Sequence, residues 1–392
     1  MGNRARKYLA YLDEHPDAFR VAALVEPSLL HREAARMQYG LPEAACFADA
    51  DSFFAERRPV DAVLITSPDQ AHFPQALRAA SYGYHILLEK PSCQSEAECR
   101  ELLKAVQRAG IVACGCYVLR YHPLYRRIKT LLEEGRIGRL TAIRHRIRIG
   151  RDRMGHSFVR GPWGSTRETS PIFLSKCCHD VDILLWMSGV HPSGVSSEGG
   201  RQFFRAEKAP EGSTERCMDC PLQESCLYSA TDLYLRRGLW TDSFFPAPGE
   251  TKEAAVRREV RTGRYGRCVW RSDNDVADFQ RVRVQTREGV DMELEMDGLA
   301  LEEGRRTVLC GTQGRILADG GVICVETFAA DGTTPADCER IDLSAEMALP
   351  FHAGADIRLV EDFLSAVNDP AHKALTALSD TMDSLAVCFA AG

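Results

Sequence analysis

The stretch Ile86-Leu87-Leu88-Glu89-Lys90-Pro91 decides how this chain is read. An apolar run too short for a helix ends there in an acid, a base and a proline. Pro91 has no N–H with which to continue a ladder, so the run reads as a buried parallel strand that stops at Lys90. Ligands of open α/β sheets bind at such carboxyl ends. Just downstream, Ser95 and Glu98 form a capping box, and Leu102, Leu103 and Val106 recur at helical spacing up to Gly110. Lys90 therefore lies between a strand end and a helix start. A lysine before a proline is as a rule solvated loop surface, and only its surroundings lift Lys90 above that reading.

Working outward, the pattern predicts helices at 4–12, 29–39 and 73–82 and strands at 19–26, 60–66 and 111–116. This βαβ rhythm implies a doubly wound parallel sheet. A first domain is placed at 1–119 and a second at 120–392, after Tyr117, Arg120, Tyr121 and Pro123. A helix at 124–134 and a turn from Gly135 to Gly138 come next. Strands at 140–149, 280–286, 291–296, 307–310 and 322–326 then predict a mostly antiparallel sheet, closed by helices at 356–367 and 376–391.

The chain has 392 residues, 45% hydrophobic and 27% charged, enough for two domains with real cores. A net charge of −6 and a pI near 6.0 exclude a general pull toward nucleic acid or anionic membrane. Arg144, Arg146 and Arg148 alternate with Ile143, His145, Ile147 and Ile149, so they read as one solvated face of a strand. No run reaches membrane-spanning length and the N-terminus lacks a signal-peptide apolar core, so a cytoplasmic location is expected. The fifteen cysteines are spread along the chain, mostly in buried-looking segments, as free thiols in a reducing compartment would be.

Glu89-Lys90-Pro91 after one buried strand, with Thr66-Ser67-Pro68-Asp69-Gln70-Ala71-His72 after the preceding one, resembles the glucose–fructose oxidoreductase / inositol dehydrogenase (Gfo/Idh/MocA) family of NAD(P)-dependent enzymes. The resemblance runs over nearly the whole chain. Each motif is short; their order and spacing carry the match. It implies an α/β architecture: an N-terminal Rossmann-type doubly wound parallel sheet, then an α+β domain whose mostly antiparallel sheet covers the active site and often forms a homo-oligomer.

Set against the family's dinucleotide fingerprint, Gly2 falls on the second glycine and Ala5 on the third, with Asn3 and Arg4 in the same turn. The first strand and first glycine are missing, which is read as an open reading frame called too far downstream. Glu26, about twenty residues on, is where an acid accepts bonds from the ribose, favouring NAD over NADP. Thr66, Pro68, His72, Glu89 and Lys90 would lie beside the nicotinamide end. His72 reads equally as a helix N-terminal residue without a chemical role, and Glu26 as a surface acid.

In the second domain, Ser175-Lys176-Cys177-Cys178-His179-Asp180-Val181-Asp182 enters a helix. A lone histidine at a helix start is more often structural; the match to the family's position turns His179 into the expected general base. Lys90 would bond the same oxygen and favour the developing alkoxide, with Lys176 a second candidate for either role. Ser175 stands where the family usually has an acid. Arg120, Tyr121, Trp163 and Arg167 are candidates to line the sugar site.

Cys217, Cys220, Cys226 and Cys268 offer four thiols, enough for a structural zinc, with an iron–sulfur cluster or free thiols as the other readings. They lie in a segment at 200–270, rich in Arg, Gly and aromatics, expected to form a lid. The function implied is hydride transfer between nicotinamide and a hydroxyl of a sugar, sugar acid or inositol. Two alternatives share the fold: an NAD-dependent glycoside hydrolase working by oxidation, elimination, hydration and reduction, and a non-catalytic NAD or sugar sensor.

Overall fold

The computed structural model describes residues 2–247, 249–329 and 335–392. The first domain holds two parallel pieces of sheet. β1 (Leu24–Val25) pairs with β2 (Cys46–Phe47), and β3 (Ala62–Ile65), β4 (His85–Leu88) and β5 (Ala113–Gly115) pair in that order. The expected strand at 19–26 shrinks to β1, because among the described residues it has only the two residues of β2 to pair with.

β4 is central and nearly sealed: Ile86, Leu87 and Leu88 are all buried. The Glu89 N–H still donates to the Ile65 carbonyl at 2.9 Å, and the ladder ends at Lys90 and Pro91. The helices Asp69–Ser81 and Glu96–Ala109 follow β3 and β4. Ser95 Oγ accepts from Glu98 N–H at 3.2 Å, while the Glu98 carboxylate turns back onto Gln94 N–H at 2.7 Å, so the capping box closes one residue early. Gly110, at φ +64°, ends that helix in the left-handed conformation.

The second domain carries an eight-stranded sheet, built from β6 (Leu140–Gly150), β7 (Pro192–Gly200), β8 (Phe279–Thr286), β9 (Asp291–Ala300), β10 (Gly304–Gly311), β11 (Gly314–Asp319), β12 (Val322–Phe328) and β13 (Pro335–Asp342). Its order is β13-β12-β11-β10-β6-β9-β8-β7, antiparallel except for β6 beside β9. On β6, Ile143, His145, Ile147 and Ile149 face the core. Arg144, Arg146 and Arg148 face outward and pair with Asp291, with Asp297 and Glu295, and with Asp319. β7, β11 and β13 lie outside the strands read from sequence. β7 is Pro-Ser-Gly-Val-Ser-Ser-Glu-Gly-Gly, an edge strand formed by backbone pairing to β8 without an apolar alternation.

The junction between domains is charged and buried. Arg120 is 4% exposed and grips Asp182 through two bonds of 2.8 and 2.6 Å, then donates to the carbonyls of Leu375 and Asp380. Tyr121, also 4% exposed, donates its hydroxyl to Asp362 at 2.6 Å. Both were expected at the sugar site; the structure instead commits them to holding the crossover against the closing helices Ala355–Asn368 and Met382–Ala391, because a buried guanidinium and phenol need fixed partners. The C-terminal segment also pairs back on β5, with Gly115 N–H donating to the Thr376 carbonyl at 3.0 Å.

Burial pushes the Asp182 carboxyl upward even with Arg120 across from it. The charges of the two partners cancel only while both are paired, and stranding one member is what costs. Asp182→Ala is expected to lower unfolding stability by about 3–5 kcal/mol, and Arg120→Met to cost a similar amount by leaving Asp182 unpaired. Urea denaturation of the two single variants and the double variant measures this; the double variant should recover part of the loss.

Candidate active site

The end of β4 delivers Glu89 and Lys90 to opposite tasks. Glu89, 5% exposed, accepts from Arg4 Nε at 2.6 Å, from the Tyr8 hydroxyl at 2.6 Å and from Lys90 N–H at 2.9 Å. Burial alone would raise its carboxyl, but Arg4, Lys90 and the Tyr8 bond outweigh that and hold it below the usual range. Arg4 also reaches Asp356 at 2.7 Å, and His352 Nδ1 meets the other oxygen of Asp356 at 2.7 Å. Lys90 turns the other way: its Nζ donates to the Ser175 carbonyl at 2.7 Å, across a separation of 85 residues.

That bond brings Lys90 to Lys176 and His179. Both are half-buried, and both feel the Lys90 charge. Burial and the Arg305 cation pull Lys176 down to about 8, and the groups acting on it do so through space rather than through a hydrogen bond. His179 is pushed well below the ordinary histidine value by burial, Lys90 and Arg305. Among the described residues its Nδ1 is buried without a partner, and its ring meets Tyr117 edge-on at 5.8 Å. The Tyr117 hydroxyl and Ser92 Oγ are likewise buried without partners among the described residues.

Beneath them lies a network that the sequence did not disclose. Asp180 is fully buried at the start of the helix Cys178–Ser188; it accepts from Arg305 and bonds His145 Nε2 at 3.0 Å, and His145 Nδ1 meets Thr307 Oγ1 at 2.8 Å. His145 and Thr307 are register partners on β6 and β10, so the sheet's inward face anchors the helix. The only sequence signal was the position of His145 among the inward isoleucines.

The remaining expected residues are distributed as follows. Gly2 caps the helix Asn3–Leu9 with φ −74°, and a Cβ there would meet nothing within 4 Å, so its backbone does not itself demand glycine. Asn3 opens that helix, and Arg4 is held by Glu89 and Asp356. Glu26 follows β1 and accepts from Ser28 N–H at 2.9 Å. Thr66 follows β3, and Pro68 caps the helix Asp69–Ser81. His72 spans two carbonyls, Pro91 O and Ser67 O, each at 2.8 Å, and so ties the two strand-end loops together. Trp163 is 39% exposed and touches Phe158. The Arg167 carbonyl accepts from the Gln70 side chain, while Ser170 Oγ donates to Asp69 at 3.0 Å, so this segment lies against the loop after β3.

Cys217, Cys220, Cys226 and Cys268 do line one cavity, together with Arg160 and Trp270, and all four are free thiols. The expectation of a metal centre is corrected by its geometry: among the described residues no three ligating side chains are grouped to hold an ion. A cation already stands there, since Arg160 Nη2 lies 3.4 Å from Cys217 Sγ and also donates to the Tyr228 carbonyl at 2.6 Å.

The two-domain α/β frame carries this strand-end lysine, histidine and second lysine, and the family comparisons identify the frame. The chain belongs to the Gfo/Idh/MocA oxidoreductases: the family model described as "Oxidoreductase family, NAD-binding Rossmann fold" matches residues 1–116, and the "GFO/IDH/MocA C-terminal domain" matches 125–217. Among individual proteins it is similar to the "Putative oxidoreductase YteT" of Bacillus subtilis, 24% identical over 78% of this chain and 68% of that one. It is also similar to the 2,7-anhydro-N-acetylneuraminate hydratase of Mediterraneibacter gnavus, 26% identical over 41% of each chain, and to inositol 2-dehydrogenase of Streptomyces avermitilis, 29% identical over 54% of this chain and 57% of that one. An oxidoreductase from Agrobacterium radiobacter, solved with NAD+, L-tartaric acid and magnesium, shares the fold at a TM-score of 0.66 and 16% identity, covering 98% of this chain and 92% of its own. No helix among the described residues is long and apolar enough to cross a membrane.

Burial also makes the structure sensitive to acid. His122, with Arg305 nearby, and His156, with Arg153 nearby, are each pulled down to about 4, mainly by burial. The unfolded chain therefore binds protons that the folded one refuses, and stability is lost as pH falls from about 6.5 toward 4. Each histidine should contribute about 1.4 kcal/mol per pH unit within that window. Urea titrations at a series of pH values should show the slope, and His156→Asn should flatten it.

Proposed function

We propose that this protein is an NAD-dependent oxidoreductase acting on a secondary hydroxyl of a sugar, sugar acid or inositol. The observation that carries the reading is the bond from Lys90 Nζ to the Ser175 carbonyl, which sets a strand-end cation from the first domain beside His179 from the second. Oxidised nicotinamide, when bound, supplies the hydride acceptor. Gly2, Asn3, Arg4, Glu26, Thr66, Pro68 and His72 belong to the segments that would hold that cofactor. Arg167 lies against the start of the helix after β3, and with Trp163 it remains a candidate for the sugar side.

The chain's own residues handle the proton. His179 is kept neutral by burial and by the Lys90 and Arg305 charges, so it meets a hydroxyl as an acceptor. With Nδ1 buried, the nitrogen available for this is Nε2. Lys90 donates to the same oxygen and favours its developing negative charge. Asp180, fixed by Arg305 and His145, holds the start of the helix that carries His179.

The similarity to a 2,7-anhydro-N-acetylneuraminate hydratase supports a second reading, in which the hydride is taken and then returned within one turnover. The two readings differ in net redox change, which a sugar and glycoside panel followed both for NADH absorbance and for released aglycone separates.

Lys90→Ala and His179→Ala are each expected to lower turnover by about a hundredfold or more without loss of the fold. The wild-type rate should rise with pH through a limb below about 6.5 that His179→Ala abolishes, because the base must be unprotonated and its value is depressed. A limb near 8, lost on Lys176→Gln, would transfer the role to Lys176.

A further inference from the structure

Two ammonium groups stand near each other here, and among the described residues neither has a carboxylate in contact with it. Lys90 Nζ is bonded to a neutral carbonyl. Lys176 is held down by burial and by the Arg305 and Lys90 charges, and Asp180 favours its charged form only from a distance, without an ion pair. The carboxylates nearby are bound to other groups: Asp180 to Arg305 and His145, Glu89 to Arg4, the Tyr8 hydroxyl and the Lys90 N–H, and Asp356 to Arg4 and His352. Ser175 Oγ lies at 3.5 Å from the carbonyl of Ile172. Arg305 adds its own charge beside Lys176, and His179 is kept neutral by burial, with this surplus adding to it.

A half-buried cation without an anion is costly, and a ligand that brings the anion removes the cost. We propose that the substrate of this site is a carboxylate-bearing polyhydroxy compound, of the uronic- or aldonic-acid type, whose carboxylate pairs with Lys176 while Lys90 and His179 meet the reacting hydroxyl. The proposal rests on the oxidoreductase reading above and narrows its substrate class. A neutral sugar or an inositol would leave the Lys176 charge unanswered. A bound carboxylate favours the charged amine, so acid binding should take up protons near the value to which Lys176 is now depressed, about 8, and weaken above it.

The test is calorimetric titration of the full chain, with and without NADH, using matched pairs: D-glucuronate with D-glucose, D-galacturonate with D-galactose, D-gluconate with D-glucitol. At least one acid is expected to bind tenfold or more tightly than its neutral partner. That advantage should disappear in Lys176→Gln and shrink above pH 8 in the wild type, while NADH affinity and the circular dichroism spectrum of the variant stay as in the wild type. The proposal is overturned if no acid outbinds its partner, or if the preference survives in Lys176→Gln. Failure of the oxidoreductase reading gives a different result: NADH produces no binding heat while the acids still bind through Lys176.

Discussion

Charge that is buried must be answered, and at the junction of the two domains this constraint sets the arrangement of everything else. Arg120 against Asp182 fixes the crossover to the helix Cys178–Ser188. Arg4 between Glu89 and Asp356 ties the opening helix to the strand end and to the closing helix. Arg305 and His145 on Asp180 lock the sheet to the helix that begins at Cys178. Each pair contributes little net stability against apolar replacements of the same shape, because desolvation offsets attraction. What the pairs contribute is register: any slip strands a charge in the interior.

The same logic explains which parts of the molecule could be read from the sequence. β4 and Lys90 were legible because an apolar run and a proline act locally, and the helix Glu96–Ala109 because its cap and its Gly110 are local signals. The outward arginines of β6 were legible from period-two alternation. β7 was not, since its pairing comes from the backbone of β8 rather than from its own side chains. Arg120 and Tyr121 were misplaced for a related reason. A charged or phenolic residue near a predicted site looks free until its partner is known, and here the partners lie 62 and 241 positions away. Lys90, His179 and Lys176 were named one by one, but their proximity depends on a carbonyl 85 residues from Lys90 that no spacing rule marks.

The 200–270 segment shows how a motif can be right in its parts and wrong in its sum. The four cysteines do converge, drawn together by Arg216 pairing with Arg267 and by Cys268 N–H donating to the Glu215 carbonyl at 2.9 Å. The group that joins the strands of this segment is nonetheless a guanidinium. Arg160 arrives from the main body and donates to the carbonyls of Arg267 at 2.7 Å and Tyr228 at 2.6 Å, with Cys217 Sγ beside it. Burial pushes the Cys226 and Cys268 thiols up, toward the neutral form, and outweighs the Arg160 charge that acts in the opposite direction.

Aromatic packing then completes what a metal was expected to do. His156 is stacked between Trp240 and Tyr265, each at 4.9 Å, and bonds the Tyr234 hydroxyl at 2.9 Å. Tyr234 and Phe244 belong to a small core separate from that of the main body. A neutral imidazole can lie flat between two rings and still satisfy one nitrogen; a charged one would bring an unanswered cation into the same slot, beside Arg153 and Arg160. Phe245 meanwhile reaches the first domain and touches His31 at 4.2 Å, next to the strand end that carries Glu26. The segment is therefore held at one end by Arg160 and its carbonyls and meets the dinucleotide-binding domain at the other.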